Sequence, residues 1–310
     1  MLWTGLSAEQ KIIMLTIFTI PKPFTNPRIN IIQRNAIQSW AKILNCEIIL
    51  CGDDEGVDEI AKEYNILHIP GINRNEKGTP LLNSAFQKTK EICKHDNLCF
   101  VNADIILFKD ILNVFKYIRT SKQYLIVGQR YDLDVTELIN FNNVDWAETL
   151  RDKIKKDGKL HPPLGSDYFI FKKDSFTTIP SLAVGRVGWD NWMIYEGRRQ
   201  KMDVIDATKL ITIIHQNHDY HHLKNNGAHR HKDFEAKENI KISEGKSHMF
   251  ALEDTNWELT TNGLTKKTIS WERFKICLKE TPEILPGNKY LWKIISRLAL
   301  KIFFIFKKIS

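Results

Sequence analysis

Residues Phe100–Phe108 read FVNADIILF, a run of large apolar residues interrupted by Asn102 and Asp104. The apolar residues predict a buried strand over Leu98–Phe108. Because side chains alternate between the two faces of a strand, the amide and the carboxylate would share one face. The pair therefore predicts a ligand-facing end of this strand, unless both residues only cap the strand and its turn.

The segments before this stretch alternate between strand and helix. Apolar runs rich in β-branched residues predict strands within Lys11–Ile20, at Glu47–Leu50 and at Ile66–Ile69. Apolar residues at helical spacing predict the helices Ile29–Leu44, Val57–Tyr64 and Pro80–Lys94. This alternation predicts an α/β fold with a mostly parallel sheet flanked by helices. In such a sheet ligands bind at the carboxyl ends of the strands, which is where Asp104 falls.

The second half of the chain has a less regular pattern. Strands are predicted in Tyr124–Leu133, His161–Phe171 and Lys209–His222, and helices in Asp145–Lys156 and Arg186–Gln200. Residues 232–285 are polar and predict no definite element. We expect one domain over residues 1–235, a C-terminal extension over 236–287 that packs on it, and an amphipathic helix over 288–310.

The composition of the 310-residue chain limits the classes of partner and the cellular compartments that we expect. The net charge of +8 and the pI of about 9.1 indicate an anionic partner. No recognised nucleic-acid-binding motif is present, so we expect no nucleic acid partner. The five cysteines fit neither a disulfide framework nor a zinc site, which favours a reducing, cytoplasmic location. The sequence shows neither a signal-peptide pattern nor an apolar run of about 18 residues, which agrees with that expectation.

Four features, in this order along the chain, resemble the nucleotide-sugar-dependent glycosyltransferases of the GT-A fold. They are FVNADIIL (100–107), GSDYFIF (165–171), GWDNWM (188–193) and a late histidine, and the resemblance covers roughly Lys11–His222. It implies a GT-A-like fold, a UDP-, GDP- or dTDP-sugar as donor, and a hydroxyl of a glycan or lipid-linked acceptor. It also implies Mn²⁺ or Mg²⁺ at a D-x-D motif. The first aspartate of that motif is replaced here by Asn102, whose carbonyl can still ligate the metal or the ribose.

A divalent cation is expected at the end of the fourth strand. Asp104 offers carboxylate oxygens of the kind that bind Mg²⁺ or Mn²⁺ together with substrate phosphates. The resemblance implies that His215 or His218 completes the metal shell, and imidazole ligands favour Mn²⁺ over Mg²⁺. The same segment contains His221 and His222 but has no zinc-protease spacing. Each of these histidines could equally belong to a polar surface loop.

The segment GWDNWM resembles the WDDWM segment of animal N-acetylglucosaminyltransferase I, an inverting enzyme whose general base lies there. The resemblance implies that Asp190 is the general base, and desolvation by indole rings would raise its pKa to a useful range. Trp189 and Trp192 would form an apolar platform for an acceptor sugar, with Asn191 at the family's second acidic position. Asp190 could instead cap a helix anchored by the tryptophans. Asp167 is the competing base or acceptor-binding residue, although Gly-Ser-Asp is also an ordinary turn.

Nucleotide contacts are expected from the loops after the first strands. The candidates are Thr19, Pro21, Asp53, Arg74 and Thr79. Arg74 and the backbone near Thr79 precede the third helix, where a cation and helix N-terminal amides can bind phosphate. The loop after the first strand, TIPKPFTN, lacks the glycine-rich, basic sequence of a sugar-phosphate nucleotidyltransferase, so we exclude that related class.

The last residues, KYLWKIISRLALKIFFIFKKIS (289–310), contain no acidic residue. Cations recur every four positions, at Lys289, Lys293, Arg297 and Lys301. Together with the apolar residues between them, they predict a helix that lies on an anionic membrane at its inner, cytosolic face, unless the helix docks on the protein's own core. The alternative to a transferase is a non-catalytic nucleotide-sugar- or glycan-binding module with a degenerate D-x-D motif.

Overall fold

The computed structural model describes residues 14–118, 122–218, 233–267, 287–288 and 290–299. A mostly parallel sheet lies between helices, so the fold class predicted from the sequence is confirmed. The strands are β1 (Leu15–Thr19), β2 (Cys46–Cys51), β3 (Leu67–Ile69), β4 (Asn97–Val101), β5 (Ile105–Leu107), β6 (Tyr124–Val127), β7 (Tyr131–Leu133), β8 (Lys159–Leu160), β9 (Tyr168–Lys172), β10 (Asp203–Asp206), β11 (Ile213–Gln216), β12 (Trp257–Thr260) and β13 (Gly263–Lys266). The α-helices are α1 (Pro27–Ala41), α2 (Val57–Glu63), α3 (Leu82–Ile92), α4 (Trp146–Asp157), α5 (Trp189–Arg199) and α6 (Phe234–Ile242).

Nine strands form the central sheet in the order β13-β12-β10-β6-β9-β4-β1-β2-β3. Neighbouring strands are parallel, except that β9 runs antiparallel between β4 and β6, and β13 runs antiparallel to β12. The carboxyl ends of β1, β4, β6 and β10 therefore share one edge, and β9 begins at that edge. Side chains at this edge are the ones expected to meet a ligand.

The stretch FVNADIILF is not one strand over Leu98–Phe108: β4 ends at Val101, so Asp104 follows the end of the fourth strand, where a ligand-facing carboxylate is expected, and does not lie inside a longer strand. β4 ends before a turn at 102–104, in which the N–H of Ile105 donates to the Asn102 carbonyl oxygen at 3.1 Å. The chain then enters a second sheet, of order β5-β11-β7-β8. It changes sheet because β5 pairs antiparallel with β11, which places Ile105 opposite His215. The amide and the carboxylate therefore lie on a turn between two sheets and not on one face of a strand.

Helix α1 covers one face of the central sheet and also holds the second sheet. It begins after Asn26, whose side-chain oxygen accepts the N–H groups of Arg28 and Ile29, and a proline lies in its first turn. Trp40 is fully buried between this helix and the strands. The indole N–H of Trp40 donates to the Ile105 carbonyl oxygen at 2.9 Å. Since truncating a buried tryptophan costs roughly 3–5 kcal/mol, this residue anchors the start of β5 firmly.

The other face of the sheet is covered by α3 and α5. Four rings from β1, β4, β9 and α3 meet there with centroids 5.0 to 6.4 Å apart: Phe18, Phe86, Phe100 and Phe171. Such aromatic pairs add about 0.5–1.5 kcal/mol each beyond the area they bury. With apolar clusters on both faces, the sheet is a rigid support for the loops at its edge.

The second half of the chain differs most from the expectations. The predicted strand Tyr124–Leu133 is split into β6 and β7, and β10, α6, β12 and β13 are not among the predicted elements. β12 pairs with β10, so residues of the expected C-terminal extension take part in the central sheet. The division into segments 1–235, 236–287 and 288–310 stays a prediction.

Residues 290–299 are helical, within the C-terminal segment for which a helix is predicted. The side-chain oxygen of Asn288 accepts two N–H groups of the first turn. Several large side chains of this helix are at least half exposed: Tyr290, Leu291, Ile294 and Leu298. Positions 289 and 300–310 of the predicted helix lie outside the described residues. Among the helices described, none combines the length and the apolar character needed to cross a membrane.

Candidate metal centre and active site

Three predicted metal ligands come together at the edge where β4 ends. Asp104 is the last residue of the turn before β5, His215 lies in β11, and His218 follows the end of β11. The pairing of β5 with β11 brings both imidazoles to the carboxylate, with their Nε2 atoms 3.7 Å (His215) and 3.1 Å (His218) from Asp104 Oδ2. One ligand atom from each residue lies within 4.8 Å of the others. His221 and His222 lie outside the described residues.

The surroundings of Asp104 fit a bound cation. Its Oδ1 atom is buried and has no hydrogen-bond partner among the described residues. Burial would raise the pKa of this carboxyl, but the two histidines and Lys22 outweigh burial and hold the pKa well below its usual range. A carboxylate that has one unpartnered oxygen, Oδ1, and two imidazoles near the other, Oδ2, suits a divalent cation, and the nitrogen ligands favour Mn²⁺ over Mg²⁺.

A group of charged residues that the sequence analysis missed adjoins this cluster. Arg130, shortly after β6, donates from Nε to Asp132 Oδ1 at 2.9 Å and from Nη1 to Asp167 Oδ2 at 2.6 Å. Asn102 donates to the other oxygen of Asp167 at 2.8 Å, so its amide faces Asp167. The expected contact of Asn102 with metal or ribose stays a prediction. Arg130 and Asp132 stand in a segment predicted as continuous strand, and only the break between β6 and β7 brings them to the site.

Lys22 is a third residue that the sequence analysis missed, after Arg130 and Asp132. It is half-buried after β1, and burial lowers its pKa, while Asp104 raises it and Arg186 lowers it further. The Nε atom of Arg186 donates to Glu235 at 2.8 Å, and Glu235 also accepts the amide of Asn75 at 2.7 Å. Lys22 therefore lies near Asp104 and Arg186 near Lys22, and an ammonium beside the carboxylate cluster is suited to phosphate oxygens. Lys22 could have been predicted from the sequence, because it is a cation three residues after the end of the first strand, where ligands bind.

Asp190 lies in the first turn of α5, at the same edge of the sheet. Burial raises its pKa to about 6; the charge of Asp167 adds to the rise, and backbone N–H groups at the helix start oppose it. A Cβ atom on residue 165 would lie 2.3 Å from Asp190 Oδ2, so Gly165 leaves room for this carboxylate. A carboxyl group with this pKa is ionised at neutral pH and still basic enough to accept a proton during catalysis.

The tryptophans of GWDNWM are core residues, which corrects the expectation of an open sugar platform. Trp189 is 4% exposed and Trp192 is 5% exposed. The indole of Trp189 packs on Phe100 and Phe169, with centroids 5.3 and 5.2 Å away. Residues three apart share one face of a helix, so both indoles turn to the sheet while Asp190 lies on another side of α5. The indoles therefore pack in the apolar core beneath the site and are not available to an acceptor sugar.

Asn191 connects the start of α5 with two loops. Its side-chain amide donates to the carbonyl oxygens of Leu164 and Phe250, both at 2.7 Å. The first of these contacts fixes the loop that carries Gly165 next to Asp190. The expected contact of Asn191 with an acceptor stays a prediction.

Two of the predicted nucleotide-binding residues lie where β1 ends. Thr19 is the last residue of the strand, and its buried Oγ1 atom has no hydrogen-bond partner among the described residues. Pro21 is buried two residues later. An unpartnered hydroxyl at a strand end is consistent with a ligand that supplies the missing partner.

The other three predicted nucleotide-binding residues are engaged in loop contacts. Asp53 accepts the N–H of Gly71 with both oxygens, at 2.9 and 2.7 Å. Arg74 donates to the Gly78 carbonyl oxygen at 2.8 Å, and the N–H of Thr79 donates to a side-chain oxygen in the same loop. These contacts order the loop before α3, and the nucleotide-binding role of its residues stays a prediction.

Comparisons with known proteins find similarity among solved structures. No family model matches the chain, and no curated protein matches it. One similar structure is glucosyl-3-phosphoglycerate synthase from Mycobacterium tuberculosis with Mn²⁺, uridine-diphosphate and phosphoglyceric acid, at 12% identity over 75% of this chain and 79% of that chain, with a TM-score of 0.46. Another is the mannosyltransferase PcManGT from Pyrobaculum calidifontis with GDP-Man and Mn²⁺, at 10% identity over 64% and 56%, with a TM-score of 0.42.

A third similar structure is GalNAc-T7 with UDP, GalNAc and Mn²⁺, at 13% identity over 74% of this chain and 48% of that chain, with a TM-score of 0.45. Because the TM-scores are below 0.5, we base the functional proposal on the residues of the site.

Proposed function

We propose that the protein is a metal-dependent glycosyltransferase that moves a sugar from a nucleotide-diphosphate sugar to a hydroxyl group of a glycan or glycolipid. The observation that carries this proposal is the presence, at one edge of the sheet, of a metal-ligand cluster and a separate half-buried carboxylate with a raised pKa. The first suits a cation that binds a diphosphate, and the second suits a general base. Transfer from a diphosphate to a hydroxyl is assisted by both, since one product leaves as an anion and the other loses a proton.

On the donor side, Asp104 and the two histidines would hold Mn²⁺ or Mg²⁺, which when bound neutralises negative charge on the leaving nucleoside diphosphate. Lys22 adds positive charge beside these ligands and would bind phosphate oxygens. The nucleotide would lie along the loops that carry Thr19 and Asp53. A UDP-, GDP- or dTDP-sugar is the expected donor.

On the acceptor side, Asp190 would accept the proton of the attacking hydroxyl group. The acceptor oxygen forms a bond to the anomeric carbon, and the bond from that carbon to the diphosphate oxygen breaks, so the diphosphate leaves with the electron pair. Attack opposite the leaving group inverts the anomeric configuration. Asp167 is the weaker candidate for the base, because Arg130 and Asn102 already donate to its two oxygens.

We also propose that the helix at 290–299 lies on the cytosolic face of an anionic membrane. Its exposed leucine and isoleucine side chains would enter the interface, while Lys293 and Arg297 would meet the lipid headgroups. Such a location suits a lipid-linked acceptor. Co-sedimentation with phosphatidylglycerol vesicles but not with phosphatidylcholine vesicles is the expected result, and binding to neither kind, or equally to both, would contradict it.

The donor side is tested by thermal unfolding with a panel of UDP-, GDP- and dTDP-sugars, each with and without Mn²⁺. We expect one nucleotide family to raise the Tm of the wild type only with Mn²⁺, and Asp104→Ala to abolish the shift. Asp203→Ala is the matched control, because the Asp203 side chain is 22% exposed against 21% for Asp104 and starts β10 at the opposite edge of the sheet. The proposal loses its support if no nucleotide sugar raises the Tm of the wild type, or if the Tm of Asp104→Ala rises by the same amount as that of the wild type.

A non-catalytic binding module would give the same thermal shift, so turnover has to be measured separately. Release of nucleoside diphosphate from the stabilising donor, even by slow hydrolysis with Mn²⁺ present, would exclude the binding module. Complete absence of release with a panel of glycan and glycolipid acceptors would favour it.

The stereochemistry tests the role of Asp190. NMR of the anomeric proton in the first product formed would show a configuration opposite to that of the donor. A product that keeps the donor configuration would overturn the single-displacement reaction with Asp190 as base.

A further inference from the structure

His215 is contacted on both sides of its ring. Its Nε2 atom faces Asp104, and its Nδ1 atom lies 3.1 Å from Oδ1 of Asp132. The parallel register of β7 and β11 pairs these two residues directly, so their side chains are neighbours on adjacent strands. The alignment falls short of a regular hydrogen bond, but the distance allows an imidazole N–H to donate to the carboxylate.

Asp132 is itself held in place by two further groups. Arg130 donates from Nε to Asp132 Oδ1 at 2.9 Å, and His161 Nδ1 lies 2.8 Å from Oδ2. Arg130 is held in turn by its ion pair with Asp167. Because both oxygens are engaged, the carboxylate cannot turn away from His215 without breaking these contacts. Its orientation is therefore set without a bound ligand.

A neutral imidazole carries one proton, and the nitrogen that keeps the proton cannot bind a metal. An ionised carboxylate accepts hydrogen bonds and does not donate them, so Asp132 favours the tautomer of His215 with a proton on Nδ1. Nε2 then keeps its lone pair on the side of Asp104, whose Oδ2 atom lies 3.7 Å away, so His215 and Asp104 would both be available as ligands of a divalent cation. We infer that Asp132 is a positioning residue that fixes the tautomer of His215 for metal binding, an inference that rests on the metal site of the proposed function.

The tautomer is measured in the metal-free wild type by ¹⁵N–¹H correlation NMR of the histidine rings at about pH 8, with His215→Gln used to assign the signals. We expect His215 to carry its proton on Nδ1. In Asp132→Asn this preference is expected to weaken, because an amide is a poorer acceptor and can itself donate. A proton on Nε2 of His215 in the wild type would overturn the inference, and this measurement needs no variant at Asp132 to fold.

The consequence for metal binding is measured by EPR titration of free Mn²⁺. Loss of a carboxylate that orients a metal-bound histidine weakens metal binding about 10- to 100-fold, and we expect this for Asp132→Asn and partial recovery in Asp132→Glu. Asp110→Asn is the matched control, because Asp110 also pairs with an arginine, Arg151, at 2.8 Å and its side chain is 13% exposed. It lies beyond the far end of β5, away from the ligands, so wild-type affinity is expected. Wild-type affinity in Asp132→Asn would contradict the positioning role.

The two measurements separate this inference from the proposed function. If the wild type binds no Mn²⁺, the metal site of the proposed function is contradicted. The tautomer of His215 in the metal-free protein still shows whether Asp132 orients that ring. If the wild type binds Mn²⁺ and Asp132→Asn binds it equally well with an unchanged tautomer, the inference fails and the proposed function stands.

Discussion

Asp104 and Asp190 are two carboxylates at the same edge of one sheet, and their surroundings act in opposite directions. Burial would raise the pKa of Asp104, but two histidines and Lys22 outweigh it and hold the pKa well below its usual range. For Asp190, burial raises the pKa to about 6 and the charge of Asp167 adds to the rise. Since the side chains are chemically identical, only their environments differ: that of Asp104 favours binding of a cation, and that of Asp190 favours acceptance of a proton.

The difference follows from the elements that carry the two residues. Asp104 lies on a turn between two sheets, and the strand after this turn pairs with β11, which supplies the histidines. Asp190 lies in the first turn of a helix whose buried indoles remove water from one side, while the loop of Gly165 approaches it from another. Different packing around the same residue type thus makes one aspartate suited to binding a cation and the other suited to accepting a proton.

The largest expected effect is that of Asp104→Asn, which keeps the size of the side chain and removes its charge. The rate of transfer is expected to fall by roughly 10³- to 10⁴-fold, because several kcal/mol of stabilisation of the leaving diphosphate is lost. Nucleoside diphosphate release at saturating donor and Mn²⁺ measures this loss. Asp203→Asn should leave the rate near that of the wild type, and a loss below tenfold in Asp104→Asn would contradict the assignment.

The next largest effect is expected for Asp190→Asn. Removing the general base should lower the transfer rate by about 10²- to 10⁴-fold, with Mn²⁺ affinity unchanged since no metal ligand is altered. The rate and the EPR-derived affinity are measured on the same protein. Asp167→Asn should lose less activity, and the reverse ranking would make Asp167 the base.

A smaller effect is expected when Asp190 is displaced but kept, by Gly165→Ala. The new Cβ atom would lie 2.3 Å from Asp190 Oδ2, so the carboxylate must move. A displacement of about 1 Å costs on the order of 10²-fold in rate. The kcat of transfer is expected to fall while the Mn²⁺ affinity and the Tm shift with donor stay at wild-type values. An unchanged kcat would show that the position of this carboxylate is not critical.

The pH dependence of transfer gives a more moderate effect. A general base must be ionised, so the wild-type kcat/KM should rise about tenfold per pH unit below about 6 and level off above it. In Asp190→Asn this rise should disappear. A wild-type profile that continues to climb between about pH 7 and 9 would point to a different base.

The smallest effect is on stability, and its pH dependence distinguishes the two carboxylates. The folded pKa of Asp190 is raised from 3.8 to about 6, so its favourable protonated form is lost as pH rises through 6. Asp190→Asn should therefore increase the free energy of unfolding by about 2 kcal/mol more at pH 8 than at pH 4. Asp104→Asn should lack this rise, because the lowered pKa of Asp104 contributes stability that is already almost fully present at pH 4 and is lost only at lower pH. Urea unfolding in metal-free buffer at both pH values measures both variants, and a rise of the same size in Asp104→Asn would contradict the comparison.

The sequence by itself determined the fold class and the edge at which the site lies. The alternation from the first strand to α3 is a local property, since side-chain periodicity distinguishes strands from helices within a few residues. Parallel strands place their carboxyl ends together, so Asp104 can be identified from its position near the end of the fourth strand. Asp167 and Asp190 are identified from the motifs GSDYFIF and GWDNWM. Asp190 can also be identified as a candidate site residue from the sequence, because it is a single acidic residue between two tryptophans.

Only the tertiary structure decided what surrounds these residues. The break in FVNADIILF, and with it the contact between Asp104 and His215, depends on the pairing of β5 with β11, segments more than a hundred positions apart along the chain. The same holds for Arg130 and Asp132, which reach the site only because β6 ends and β7 joins the second sheet. Burial of the indoles depends on which face of α5 meets the sheet. Periodicity and spacing describe neighbours along the chain, whereas pKa values and metal ligation depend on neighbours in space, and those are set by long-range strand pairing and core packing.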